Sequence, residues 1–175
     1  RLAFYEEPLP PEAILDYPKL RQAVAVPIAT GERYGFLGDF RTLFELGAVD
    51  VIQPDTGRTG GITQMRKMAA LAEAFGAMIA PHSGSLGPVA EFAAVHLMAA
   101  TPNCLAIERV EDDWPGREEV LTHACRAEGG SFAVPDAPGL GVDIVEAEIE
   151  RYPVQLSVDM PTAMITGASR GLGPA

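Results

Sequence analysis

The chain has 175 residues and a formal net charge of −11 at neutral pH. That length suits one domain with its own core, and the acidic balance argues against binding nucleic acid or an anionic membrane through a basic surface. No apolar run reaches the roughly 18 residues of a membrane span. No signal peptide is visible, and Cys104 and Cys125 follow no metal-ligand spacing, so a cytoplasmic protein with reduced thiols is expected.

In chain order, Leu2–Tyr5 reads as a first strand, and a Pro-rich stretch leads into a helix from Pro18 to Val24, where Pro suits the first turn. Val26–Ala29 is a second strand. Phe40, Leu43 and Phe44 have i, i+3, i+4 spacing, which predicts a helix over 39–46 stopped by Gly47. Val49–Gln53 is β-branched and apolar, a third strand. Ile62, Met65, Met68, Ala69, Ala72 and Phe75 form a helical apolar stripe closed by Gly76, with the methionines as core filler. Ala77–Ala80 is a fourth strand, Val89–Ala100 another helix, and Leu105–Ile107 a fifth strand with Cys104 buried beside it. Strands that are apolar throughout fit a parallel sheet covered on both faces. Beyond Glu108 the chain turns polar, reads as loop through 143, and becomes helical from Ile144.

Each apolar run ends at or just before an acid or a histidine: Glu6, Glu32, Asp55, His82 and Glu108, at intervals of 26, 23, 27 and 26 residues. That is the period of a strand, a loop and a covering helix. In a parallel (β/α) barrel the C-terminal strand ends converge on one mouth, where catalytic groups sit. A complete barrel takes about 250 residues, so the expected fold class is α/β, a partial TIM-like barrel, roughly its second half. Residues 1–110 form that half-barrel, 111–155 a C-terminal extension and 156–175 a tail. Glu6 and Glu32 are candidate ligands for a hard divalent cation such as Mg²⁺. Asp55 and His82 are a candidate acid–base dyad, because a carboxylate on one ring nitrogen fixes the tautomer of the other. Glu7 points away from Glu6 and takes a supporting role, since strand side chains alternate. His96, in a helix, and His123, in the polar segment, are read as structural.

The motifs YEEP at 5–8, TGE at 30–32, QPD with GRTGGIT at 53–63 and APH at 80–82 resemble the enolase superfamily, in its mandelate racemase/muconate lactonizing enzyme-like branch. PNCLAIE at 102–108 and PDAPGLGVD at 135–143 extend the resemblance. It implies Mg²⁺-dependent abstraction of the proton α to a carboxylate through an enediolate. Glu6 and Glu32 become two of the metal ligands and His82, partnered by Asp55, the base or acid. Glu108 becomes the acid that hydrogen-bonds the substrate carboxylate. An earlier-strand metal ligand, a Lys-x-Lys motif and a capping domain of that family are not in this sequence, so the chain reads as a fragment, its C-terminal extension returning toward that capping domain. The Gly-rich SGSLGPV after His82 resembles loops of acid-sugar dehydratases, so the implied substrate is a small-molecule carboxylate, an acid sugar, turned over by a lyase or isomerase. A homo-oligomeric parent is implied as well. The alternatives are a non-catalytic remnant or fusion product and, from the tail alone, an NAD(P)-dependent oxidoreductase. ITGASRGLG at 165–173 resembles the phosphate-binding turn of a short-chain dehydrogenase, but no βαβ unit follows it to complete a cofactor site.

Overall fold

Prolines set the length of the strands. The chain is described by a computed structural model over residues 2–83, 87–110 and 116–152. In it β1 (Tyr5–Glu6), β2 (Ile28–Thr30), β3 (Val51–Ile52) and β4 (Met78–Ile79) form one parallel sheet in the order β1-β2-β3-β4. Pro8, Pro54 and Pro81 each stand two residues past the end of β1, β3 and β4, and Pro27 immediately precedes β2. A proline has no N–H to give the ladder, so each strand is shorter than its apolar run predicts.

The fifth predicted strand, Leu105–Ile107, is corrected for the same reason. Cys104 makes a single parallel bridge to Ile79, with the Leu105 N–H donating to the Ile79 carbonyl at 2.8 Å. The next inward donor would be Pro81, which has none. The ladder skips, and the Glu108 N–H instead reaches the Pro81 carbonyl at 3.2 Å. Direction and neighbour are as expected, but no regular strand forms.

Helices α1 (Tyr17–Ala23), α2 (Leu37–Glu45) and α3 (Ile62–Ala74) cross between successive strands, and α4 (Pro88–Ala99) follows β4. Asp39 turns back to accept the Phe36 N–H at 3.0 Å, satisfying one free donor at the start of α2. α2 and α3 end alike. Gly47 and Gly76 take φ of 63° and 69°. The following Ala48 and Ala77 N–H groups reach back to Leu43 and Ala72, at 2.9 Å each. This six-to-one closure satisfies the orphan carbonyls and turns the chain straight into the next strand.

The sheet separates two apolar layers. Ile28, Ile52 and Ile79 pack with Phe40, Leu43, Met65 and Met68 under the helices. Ala29, Val51 and Ala80 make a smaller cluster on the other face, with Phe4 and Met78 against it. Register pairs Glu6 with Ala29 and Ala29 with Val51, which places Glu6 on this second face. The ends of the α3 stripe lie outside the core: Ile62 and Phe75 are exposed, and Phe75 stacks on Phe44 with ring centroids 5.2 Å apart.

Residues 116–152 include a hairpin that reading this stretch as loop misses. β5 (Ala127–Glu128) and β6 (Ser131–Phe132) pair antiparallel around Gly129-Gly130, both at positive φ. A two-residue glycine turn of that kind matches strand twist. A short α5 (Glu146–Ile149) follows. Val120, Leu121 and Cys125 pack on Phe92 and Val95 of α4, and buried Glu91 of α4 pairs with Arg109 at 2.8 Å and Arg117 at 3.3 Å. No helix among the described residues is long and apolar enough to cross a membrane. The TGASRGLG turn lies outside the described residues.

Candidate active site

The parallel bridge between Asp55 and His82 sets the centre of the site. Asp55 has no exposed side-chain surface, and its Oδ2 stands 2.9 Å from His82 Nδ1. The other oxygen, Oδ1, accepts the Arg58 N–H at 2.8 Å, and the Asp55 carbonyl accepts both the N–H and the hydroxyl of Thr59. This carboxylate is therefore held at every polar atom, and it can only present Oδ2 to the ring. Such an arrangement assigns the Nδ1 proton to the Asp55 side and leaves Nε2 as the working nitrogen.

Nε2 faces two further carboxylates. Glu32 Oε2 lies 3.1 Å away and Glu108 Oε2 3.9 Å away. Glu108 is steadied by the residue after the histidine: the Ser83 N–H donates to its Oε2 at 3.0 Å, and the Ser83 hydroxyl donates to its backbone carbonyl. Three of the other four candidate residues thus converge on the His82 imidazole. Glu6 stands apart on exposed β1, with no hydrogen bond or ion pair among the described residues. His96 bonds the Leu140 carbonyl at 2.9 Å, and His123 is exposed in the C-terminal segment.

Several side chains around the site were not singled out from sequence. Arg58 sends its guanidinium to the Glu32 carbonyl at 3.2 Å and stands 3.6 Å from Asp55. Gln53, 3% exposed, carries a side-chain oxygen with no partner among the described residues. Ser83 had a signal in its adjacency to His82. Arg58 lay inside the GRTGGIT motif but carried no role there, because a loop arginine looks like solvated surface until the turn is seen.

The donor set suits a hard cation. Glu6 and Glu32 offer carboxylate oxygens from consecutive units, and Mg²⁺ commonly works with one or two carboxylates completed by water and substrate oxygens. Among the described residues no group of three or more His, Cys, Asp or Glu side chains is arranged to hold a metal.

Residues 1–148 match the family model described as enolase C-terminal domain-like. The chain is 39% identical over 150 residues to D-gluconate dehydratase of Thermoproteus tenax, covering 85% of this chain and 30% of that protein. It superposes on the mandelate racemase/muconate lactonizing enzyme of Jannaschia sp. CCS1 with a TM-score of 0.81 at 38% identity, covering 88% of this chain and 39% of that one. It superposes on the 3,6-anhydro-D-galactonate cycloisomerase of Zobellia galactanivorans with a TM-score of 0.80 at 35% identity, covering 88% and 43%. The chain therefore spans less than half the length of each.

Proposed function

From the premise that this chain belongs to the enolase C-terminal domain-like family, we propose that it carries the proton-transfer side of a site that removes the hydrogen α to a carboxylate. The substrate class we favour is an acid sugar, dehydrated through an enediolate, with racemisation or cycloisomerisation as the neighbouring outcomes. The observation that carries this reading is the His82 imidazole, held 2.9 Å from Asp55 with its other nitrogen directed at Glu32 and Glu108.

A proton α to a carboxylate is very weakly acidic, so the site must raise basicity at one point and absorb negative charge at another. Asp55 does the first. Buried and acceptor-only toward the ring, it keeps the proton on Nδ1 and leaves Nε2 to take the substrate proton. Glu32 occupies Nε2 in this structure, so base action requires the Glu32 carboxylate to leave it. Glu108, in its protonated form, would donate to a substrate carboxylate oxygen as charge builds there. Elimination then returns the proton: the enediolate collapses, the bond from the β-carbon to its hydroxyl breaks, and the His82 imidazolium protonates the leaving oxygen as water. Glu6 and Glu32 would hold Mg²⁺, which when bound supplies positive charge to the substrate carboxylate oxygens.

The test is a chimera in which residues 1–148 replace the matching segment of the Thermoproteus tenax dehydratase. Incubation with D-gluconate and Mg²⁺ in D₂O, followed by proton NMR, reads both exchange at the α-carbon and dehydration. His82→Asn abolishes both while leaving Mg²⁺ affinity within a few-fold. Asp55→Asn costs less, because the imidazole remains, and adds little on top of His82→Asn, since residues acting as a unit are not additive. A folded chimera that keeps its turnover after His82→Asn sinks the assignment.

A further inference from the structure

Glu7 stands at φ 45° and is the non-glycine residue at positive φ among the described residues. A side chain held in that region is strained and persists where its surroundings over-determine it. Here one carboxylate does so. Its Oε1 accepts the Thr30 hydroxyl at 2.5 Å and the Gly31 N–H at 3.1 Å. Its Oε2 accepts Nε and Nη2 of Arg33 at 2.8 and 2.5 Å. Of Thr30, Gly31, Glu32 and Arg33, only Glu32 is not bonded to Glu7. Its carbonyl is held instead by Arg58, and its carboxylate reaches His82.

We propose that Glu7 is a positioning residue for Glu32: by tying down the chain on both sides, it leaves the Glu32 side chain no direction but the one toward His82. This rests on the reading of Glu32 as a site residue given above. The alternative, that Glu7 only fastens β1 to β2, is weaker. That pairing already has its own backbone bonds, from the Tyr5 N–H to Pro27 at 2.8 Å and from the Glu7 N–H to Ala29 at 3.0 Å, neither of which needs the Glu7 carboxylate. The side chain is also the less exposed partner of its ion pair, 14% against 44% for Arg33, so the charge is placed inward where it orders backbone.

The experiment uses the whole chain and two readouts independent of turnover: amide hydrogen exchange by NMR, and carbethoxylation of His82 by diethylpyrocarbonate. In Glu7→Gln the Gly31 amide exchanges about tenfold faster, the expected result of weakening one charge-assisted bond, while the sheet amides of Gln53 and Ala80 stay within twofold. His82 modification rises toward the rate of Glu32→Gln. Arg33→Met attacks the same pair from its exposed end without touching β1 and gives a smaller change of the same kind. Three results overturn the role of Glu7: unaltered Gly31 exchange, unaltered His82 modification, or loss of protection across the whole sheet. A fourth, Glu32→Gln leaving His82 modification unchanged, faults the reading of Glu32 itself and removes the basis of this one.

Discussion

Gly31→Ala tests how closely the TGE turn is built onto the neighbouring strand. Gly31 has φ 152°, a region that L side chains rarely adopt. A Cβ at this position would lie 2.6 Å from the Gln53 backbone nitrogen and 2.9 Å from its carbonyl carbon, with Phe40 3.1 Å away. The clash is with backbone just past β3, bonded through the Gln53 N–H to Thr30 at 3.0 Å, so it cannot swing aside as a flexible side chain would. Overpacking of this kind costs about 1–3 kcal/mol, and the disfavoured dihedral adds about 1–3 kcal/mol more. Part of the two is relieved by one shared shift, so a total of about 3 kcal/mol is expected. With a urea slope of about 2 kcal/mol/M, the unfolding midpoint falls by about 1.5 M. The assay is equilibrium urea unfolding followed by circular dichroism. A Gly31→Ala chain within about 0.5 kcal/mol of the parent, the range of an ordinary surface change, would refute the claim that the two segments touch through backbone.

Two further perturbations follow from charge and burial. Burial alone would raise the Asp50 carboxyl, but the Arg21 guanidinium and the Ile28 N–H outweigh it and hold it below the ordinary value of 3.8. A depressed folded value means that its stabilisation is complete above the ordinary value and is lost as pH falls through the folded one. Asp50→Asn therefore costs about 1 kcal/mol at pH 7, discounted for the partly exposed Arg21. The gap from the parent should begin to narrow in urea melts near pH 4 and close only once the pH is below the folded value. The Cys125 thiol is pushed up to about 12 by burial first and by the nearby Glu91 charge second. At pH 8 iodoacetamide should label it only as fast as the chain opens, and rapidly in urea; prompt labelling of the folded chain would contradict this burial.

The period of acids and His82 was legible because each element end repeats the same sequence event, an apolar run closed by a polar residue. Helix positions were legible to within one or two residues, since Gly47 and Gly76 mark their ends and the i, i+3, i+4 spacing marks their faces. Strand lengths were not, because apolar content reports burial whereas prolines at 54 and 81 decide where a ladder stops. The Gly129-Gly130 hairpin was hidden by its brevity: two-residue strands carry no alternation to read. Proximity of Asp55 to His82 followed from neighbouring strands, but the grip of Glu7 on three residues of the next turn did not. It depends on a positive φ in a glutamate, which no local pattern announces.

The two glycine closures at Gly47 and Gly76 divide the molecule into a conservative rim and a permissive one. At the first, helix end, turn and strand start are locked within three residues by backbone bonds, with Arg21 on the Gly47 carbonyl and Asn103 on the Ala77 carbonyl beside them. The opposite rim, carrying 31–36 and 55–61, adds to its own backbone turns a set of side-chain bonds from Glu7, Arg33, Arg58 and Asp55. A mutational library placed in 46–48 or 75–77 should yield few folded clones, whereas one placed at 35 and 36, half-buried and exposed, should yield many. The rim that carries the candidate site can thus vary in sequence while the rim that sets the topology stays fixed.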